Sequence, residues 1–207
     1  MTNTWEILEV TPPTGVEAFL RGKPSKLWGV GDPAILNYRL LGIISARQVD
    51  SDLALETARL LKQLVSLEDA AFVSGWHSPL EEEALQILLA QEATVVLCVA
   101  KSLDRFIPSM GVESRVTDGK ALLLTHCSTK AKRITRNASM RRNELIVELV
   151  KALLVLSAPE GSASLSLAKS ALRRGKFVLT PEHPMNKELL ASGALPATLD
   201  NLQTALR

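Results

Sequence analysis

Residues 140–165 read Met-Arg-Arg-Asn-Glu-Leu-Ile-Val-Glu-Leu-Val-Lys-Ala-Leu-Leu-Val-Leu-Ser-Ala-Pro-Glu-Gly-Ser-Ala-Ser-Leu. The segment joins a basic helix entrance at Arg141 and Arg142, an apolar run over 152–156 and a small-residue turn over 160–165. A short apolar run between polar residues favours a buried strand. The turn allows a helix to begin close to an anion, because small side chains let backbone N–H groups approach phosphate oxygens. The segment therefore predicts an α/β unit that can bind an anion.

The same alternation of short apolar runs and amphipathic segments continues on both sides. It predicts strands at 40–44, 70–73, 94–99, 121–125, 153–157 and 176–180, and helices at 52–65, 80–90, 142–150, 163–174 and 199–206. This alternation predicts a mostly parallel sheet with helices on both faces. Ligands bind such sheets at the carboxyl ends of the strands, so the loops after the strands are the candidate site.

Composition is typical of an α/β domain. Hydrophobic residues make up 46% of the 207-residue chain and aromatic residues only 4%, so the core must consist of aliphatic side chains. The first forty residues contain Pro12, Pro13, Pro24 and Pro33 and no sustained helical period. We therefore predict an extension over 1–39 that wraps the core and a domain over 40–207.

The sequence also argues against several classes of protein. Cys98 and Cys127 lie in or beside apolar runs without metal-ligand spacing, which favours buried free thiols. The N-terminus lacks the pattern of a signal peptide, and no apolar run reaches the ~18 residues of a membrane span, so we expect a cytoplasmic protein without a membrane segment. A net charge of +2 is too small to identify a nucleic-acid binder. The bases are nevertheless concentrated in a strip between Lys120 and Arg142.

Seven segments, taken in order, carry a family resemblance. They are LWGVGD (27–32), LGIISAR (41–47), VSG (73–75), SLDRFIP (102–108), RRNELI (141–146), SASL (162–165) and NKELLASGA (186–194). Together they resemble the DNA-processing protein A (DprA/Smf) family over nearly the whole chain from Leu27. Their ordered succession is far more specific than any single motif.

The resemblance implies an extended Rossmann-like core of the DprA/lysine-decarboxylase-like type that binds single-stranded DNA. It also implies assistance to a recombinase in DNA uptake, and a homodimer; it implies no cofactor or metal. The pocket it implies consists of Arg47, Ser74, Gly75, Arg141, Arg142, Asn143, Ser162, Ala163 and Ser164. Arginine forks and turn amides hold phosphates without reading bases, so binding should tolerate any sequence and weaken with salt.

Four further residues are candidates on other grounds. Trp76 and His77 lie in the loop after a predicted strand, where they could stack on a base or contact a ribose; a structural role is the alternative. Lys132 and Arg133 belong to the basic strip and are candidate phosphate contacts; a solvated surface loop is the alternative. For Arg141 and Arg142 the alternative is a solvated helix start, although cations there oppose the helix dipole.

A second hypothesis is a sensor of a nucleotide or nucleotide-derived ligand that uses the same pocket. It is motivated by departures from the family pattern at Ser45, Pro79, Ser139, Glu144 and Ala163. Enzymatic hypotheses are weaker. No G-x-S-x-G element is present, and related nucleotide-cleaving proteins carry a glutamate where residues 165–170 have no carboxylate. We therefore predict a protein that is not an enzyme.

Overall fold

A mixed nine-stranded sheet organises the part of the chain that the structure, a computed structural model, describes, namely residues 5–20, 26–67, 69–104 and 106–207. The strands are β1 (Leu8–Val10), β2 (Leu27–Gly31), β3 (Arg39–Ile44), β4 (Ala70–Ser74), β5 (Thr94–Val99), β6 (Ala121–Thr125), β7 (Ala152–Val155), β8 (Phe177–Thr180) and β9 (Leu195–Pro196). The α-helices are α1 (Glu17–Leu20), α2 (Ser51–Leu64), α3 (Pro79–Ala90), α4 (Met110–Thr117), α5 (Arg136–Leu149), α6 (Ala163–Arg173), α7 (Lys187–Ala191) and α8 (Leu199–Leu206). Short 3-10 helices cover Pro33–Asn37 and Pro184–Asn186.

The strand order is β1-β2-β6-β5-β4-β3-β7-β8-β9. All pairs from β6 to β9 are parallel, whereas β2 pairs antiparallel with both β6 and β1 at one edge. From β3 the chain moves outward to β4, β5 and β6, and then returns to place β7 on the other side of β3. The carboxyl ends of β3 and β7 therefore form the switch point at which such sheets bind ligands. The predicted α/β, mostly parallel sheet is confirmed.

Two apolar layers bury the faces of this sheet. One side contains α5 and α6, with Leu145, Ile146 and Leu165 in its core. The other contains α2, α3, α4 and α8, with Leu61 and Leu88 among its buried side chains. Parallel strands covered on both faces are continuous apolar runs rather than alternating ones, as the sequence of β7 shows.

The main correction concerns α5. The sequence placed its start at Arg142, but the helix begins at Arg136, where the Thr135 hydroxyl caps it by accepting from the Ala138 N–H at 3.1 Å. Arg141 and Arg142 therefore lie in the second turn, beyond the orphan N–H groups of the first. Helix α4 and strand β1 are also absent from the predicted elements. Strand β2 covers most of the LWGVGD segment and is likewise absent from the predicted strands.

Both cysteines are free and buried, as predicted. Burial raises the pKa of Cys98 to about 12, so its thiol stays protonated. Within the described ranges, no helix combines the length and apolar character needed to cross a membrane.

Candidate phosphate-binding site at the strand termini

A cleft of about 270 Å³ lies at the switch point of the sheet. Three loops and three helices contribute to it, through Ile44, Ser45, Ala46, Arg47, His77, Glu81, Asn143, Ser162, Ala163, Ser164 and Leu167. Six of the residues selected from the sequence meet here: Arg47, His77, Asn143, Ser162, Ala163 and Ser164. The other seven do not line it.

The cleft is organised by Glu81, which sequence analysis did not select. Glu81 is 2% exposed and lies in the first turn of α3. Its Oε1 accepts from the Ser45 N–H at 2.8 Å, and its Oε2 accepts from the His77 N–H at 3.0 Å and pairs with His77 Nδ1 at 2.9 Å. One buried carboxylate thus joins the loop after β3 to the loop after β4.

These contacts also determine the charge of Glu81. Burial raises the pKa of the carboxyl, but hydrogen bonds from the His77 ring and from the backbone N–H groups of His77 and Ser45 outweigh burial and lower it overall. Glu81 is therefore an anion. His77 Nδ1 faces this carboxylate, and the imidazole side chain is 40% exposed.

Arg142 is a buried part of the frame. It is 4% exposed, and its Nη2 lies 3.2 Å from both ring nitrogens of His77. Its Nε donates to Asn143 Oδ1 at 2.7 Å, and its Nη1 to the Cys98 carbonyl at 3.4 Å. Gly75 makes room for this guanidinium, since a Cβ on Gly75 would lie 2.2 Å from Nη1. Arg142 thus aligns His77 and Asn143.

The N-terminus of α6 forms the opposite wall of the cleft. The Ser162 hydroxyl caps it by accepting from the Leu165 N–H at 3.1 Å. Ser164 donates its hydroxyl to the Ser157 carbonyl at 3.0 Å, so the 3.1 Å contact between the two hydroxyls has Ser162 as donor. Both hydroxyls thus already take part in hydrogen bonds within the protein. The donors that the N-terminus of α6 offers to an anion are therefore the backbone N–H groups of residues 163 and 164, in its first turn. The left-handed residue of the turn is Gly161, with φ +76°, so Ala163 begins the helix without backbone strain.

The remaining basic candidates have different positions. Arg47 is exposed and lines the cleft. Arg141 turns away, because its Nη2 donates to the Phe19 carbonyl at 2.9 Å and its guanidinium stacks 4.6 Å from the Phe19 ring. Lys132 and Arg133 are exposed in the loop between β6 and α5, outside the cleft.

Two candidates, at the end of β4 and in the loop that follows it, are buried. Ser74 is fully buried, and its hydroxyl accepts from the Trp76 N–H at 3.3 Å. Trp76 is 7% exposed, and its indole N–H donates to the Val96 carbonyl at 3.1 Å. This burial and this hydrogen bond favour the structural alternative for Trp76, although the ring also lines a neighbouring cavity. Trp76 also has φ +49°, an unfavourable backbone conformation for a bulky residue.

A second, larger cavity of about 680 Å³ adjoins the cleft at His77, which lines both. It lies between the ends of β4 and β5 and the helices α3 and α4. Its walls are mainly apolar and include Trp76, Leu97, Val99, Phe106, Pro108 and Val112. We call this cavity the apolar slot. Arg105, in the segment that resembles the family, lies outside the described residues.

The sequence did carry a signal for Glu81. Ser78-Pro79-Leu80-Glu81 has the spacing of a capping box, and the structure shows both reciprocal hydrogen bonds of that motif. No comparable signal marked the slot, because its walls come from segments far apart in the chain. Within the described ranges, no group of three or more His, Cys, Asp and Glu residues could hold a metal ion.

Fold and site define an α/β Rossmann-like protein with a cleft of side-chain and backbone donors at its switch point. The chain matches the family model of DNA recombination-mediator protein A over residues 11–197 and belongs to that family.

Solved structures show the same fold. DNA processing protein A from Streptococcus pneumoniae is 17% identical, with a TM-score of 0.79 over 98% of this chain and 75% of that one. DNA processing protein A from Helicobacter pylori, described with a single-stranded DNA binding mode, is 21% identical, with a TM-score of 0.79 over 99% and 96%. A molybdenum cofactor binding protein from Rippkaea orientalis is 19% identical, with a TM-score of 0.54 over 80% and 93%. A search among curated proteins finds no match.

Proposed function

We propose that this protein binds single-stranded DNA by seating a backbone phosphate in the cleft at the switch point. The observation that carries the proposal is the convergence of Arg47, Asn143 and the first turn of α6 on one cleft. Asn143 uses its oxygen to accept from Arg142, so it meets a phosphate with its amide NH2 group. Arg47 supplies the exposed positive charge.

Membership in the recombination-mediator family and the DNA-binding relative from Helicobacter pylori support this function. Side-chain and backbone donors of this kind contact phosphate oxygens and do not distinguish bases. Binding should therefore tolerate any sequence and weaken with added salt.

The wider role that we propose is assistance to a recombinase during DNA uptake or recombination, by a cytoplasmic homodimer that binds DNA without chemically altering it. Family membership supports this role at the level of DNA processing. The recombinase, the dimer and the absence of catalysis belong to the proposal.

The test is an Arg47→Ala variant assayed by fluorescence anisotropy with a labelled oligonucleotide over a range of salt concentrations. Loss of one phosphate contact should weaken binding several-fold at low salt. It should also reduce the log–log salt slope by about 0.7. Arg59→Ala is the matched control, because Arg59 is an exposed arginine on α2 outside the cleft. Equal losses in both variants, or no binding by the wild type at low salt, would contradict the proposal.

A further inference from the structure

The structure assigns a second role to the ligand-binding edge: we propose that the apolar slot receives one nucleobase of the bound nucleic acid or of a free nucleotide. This inference extends the proposed function, because the phosphate of the same nucleotide would lie in the adjoining cleft. His77 lines both cavities and marks their junction. A ligand that fills both must join an anionic group to an apolar group, and a nucleotide has this combination.

The dimensions and walls of the slot suit a base. A cavity of about 680 Å³ lies within the usual range of small-molecule sites. Half-buried Phe106 adds an aromatic ring to the walls, and the Lys101 ammonium lies 5.2 Å from the centroid of that ring. Ile107 and Ile134 are 72% and 62% exposed and also line the cavity, so apolar surface extends to its entrance.

The charges around the slot favour the same occupant. Exposed Glu82 and Glu83 line its α3 side, where they repel phosphates but can accept from the N–H groups of a base. On the far side, Ile134 directly follows Lys132 and Arg133. The slot therefore lies between two cationic surfaces, Arg47 with the α6 N-terminus and the Lys132–Arg133 loop. A strand crossing this edge can place successive phosphates on these surfaces and turn one base inward.

The experiment compares an oligodeoxyadenosine with an abasic strand of equal length, so that phosphate contacts are matched. Wild-type protein should bind the oligodeoxyadenosine at least about fivefold more tightly, in line with the stacking contribution of a base. Gln86→Trp should abolish this preference, because Gln86 is an exposed α3 residue that lines the slot. Gln63→Trp, on the exposed side of α2, is the matched control and should retain the preference.

A second measurement adds deoxyadenosine monophosphate to isoleucine methyl-labelled protein. The methyl resonances of Ile107 and Ile134 should shift in the wild type and not in Gln86→Trp. If the two strands bind with equal affinity and the methyl resonances do not shift, the slot does not receive a base. Its exposed apolar rim would then be a candidate contact surface for a protein partner. Methyl shifts without binding of either strand would retain the slot and overturn DNA binding. If the protein binds neither strand and no methyl resonance shifts, both the base-binding slot and DNA binding would be overturned.

Discussion

The contact between Gly75 and Arg142 places a backbone against a buried guanidinium. A Cβ at position 75 would lie 2.2 Å from Nη1 and 2.4 Å from Cζ of Arg142, so one of the two groups must move. We expect Gly75→Ala to lower the free energy of unfolding by about 1–3 kcal/mol, the usual cost of overpacking. The displaced Arg142 should also weaken DNA binding by misaligning His77 and Asn143.

Urea unfolding followed by circular dichroism measures this effect. Gly111→Ala is the control, because Gly111 lies in α4 and its added Cβ would meet only Leu89 Cδ1, at 3.4 Å. Alanine is favoured over glycine in a helix, so this control should be neutral or up to about 1 kcal/mol more stable. A Gly75→Ala protein as stable as the control would show that Arg142 can move freely.

Glu81 makes a pH-dependent contribution to stability. Its pKa is lowered in the folded protein, so its contribution is complete above its ordinary pKa of 4.5 and is lost as the pH falls through the lower folded pKa. Glu81→Gln should lower the free energy of unfolding by about 1–3 kcal/mol at neutral pH. The glutamine NH2 group would then face the backbone N–H groups of Ser45 and His77, which donate to a carboxylate in the wild type.

The difference between wild type and Glu81→Gln should shrink below pH 4.5, as measured by urea unfolding at a series of pH values. Glu83→Gln is the control: Glu83 is an exposed neighbour on the same helix and should show little change at any pH. A difference for Glu81→Gln that stays constant into acid would contradict the lowered pKa.

At the scale of elements, the N-terminus of α6 links stability to binding. Ser162→Ala removes the hydroxyl that accepts from the Leu165 N–H, so we expect a loss of about 0.5–2 kcal/mol. Without this cap the first turn of α6 should be less well ordered. Its backbone N–H donors would then be misplaced, and oligonucleotide binding should weaken. Ser170→Ala, inside the same helix, should cost no stability, since alanine is the stronger helix former. Thermal unfolding and anisotropy measure the two effects, and unchanged stability in Ser162→Ala would contradict the cap.

The elements also show how far the sequence could be interpreted. Apolar runs predicted β3 to β8 because strands buried on both faces leave that pattern. The start of α5 was misplaced by six residues, because four of the six residues 136–141 are polar and the first turns of the helix therefore show no apolar periodicity. Arg141 and Arg142 are neighbours in sequence, yet one stacks on Phe19 and the other lies under Gly75. Their helix directs them about 100° apart, and only the tertiary fold determines what each contacts.

At the scale of the whole molecule, the two cationic surfaces should make separable contributions. Lys132→Ala/Arg133→Ala removes two exposed charges beyond the slot. If both contact phosphates, the log–log salt slope for a long oligonucleotide should fall by about 1.4. The preference for bases over abasic strands should remain, because neither side chain lines the slot.

A mononucleotide occupies only the cleft and the slot, so its affinity should be unchanged by this double substitution. Arg59→Ala/Lys62→Ala removes the same charge from the second half of α2, which runs back from the carboxyl edge of the sheet, and is the matched control. Anisotropy with the long strand and isothermal titration with the mononucleotide separate the contributions. If both double variants lose equal affinity for the long strand, the net charge of the molecule, and not a path across this edge, attracts DNA. If only the Lys132→Ala/Arg133→Ala variant loses affinity for the long strand, the strand crosses the slot from Arg47 to the loop before α5.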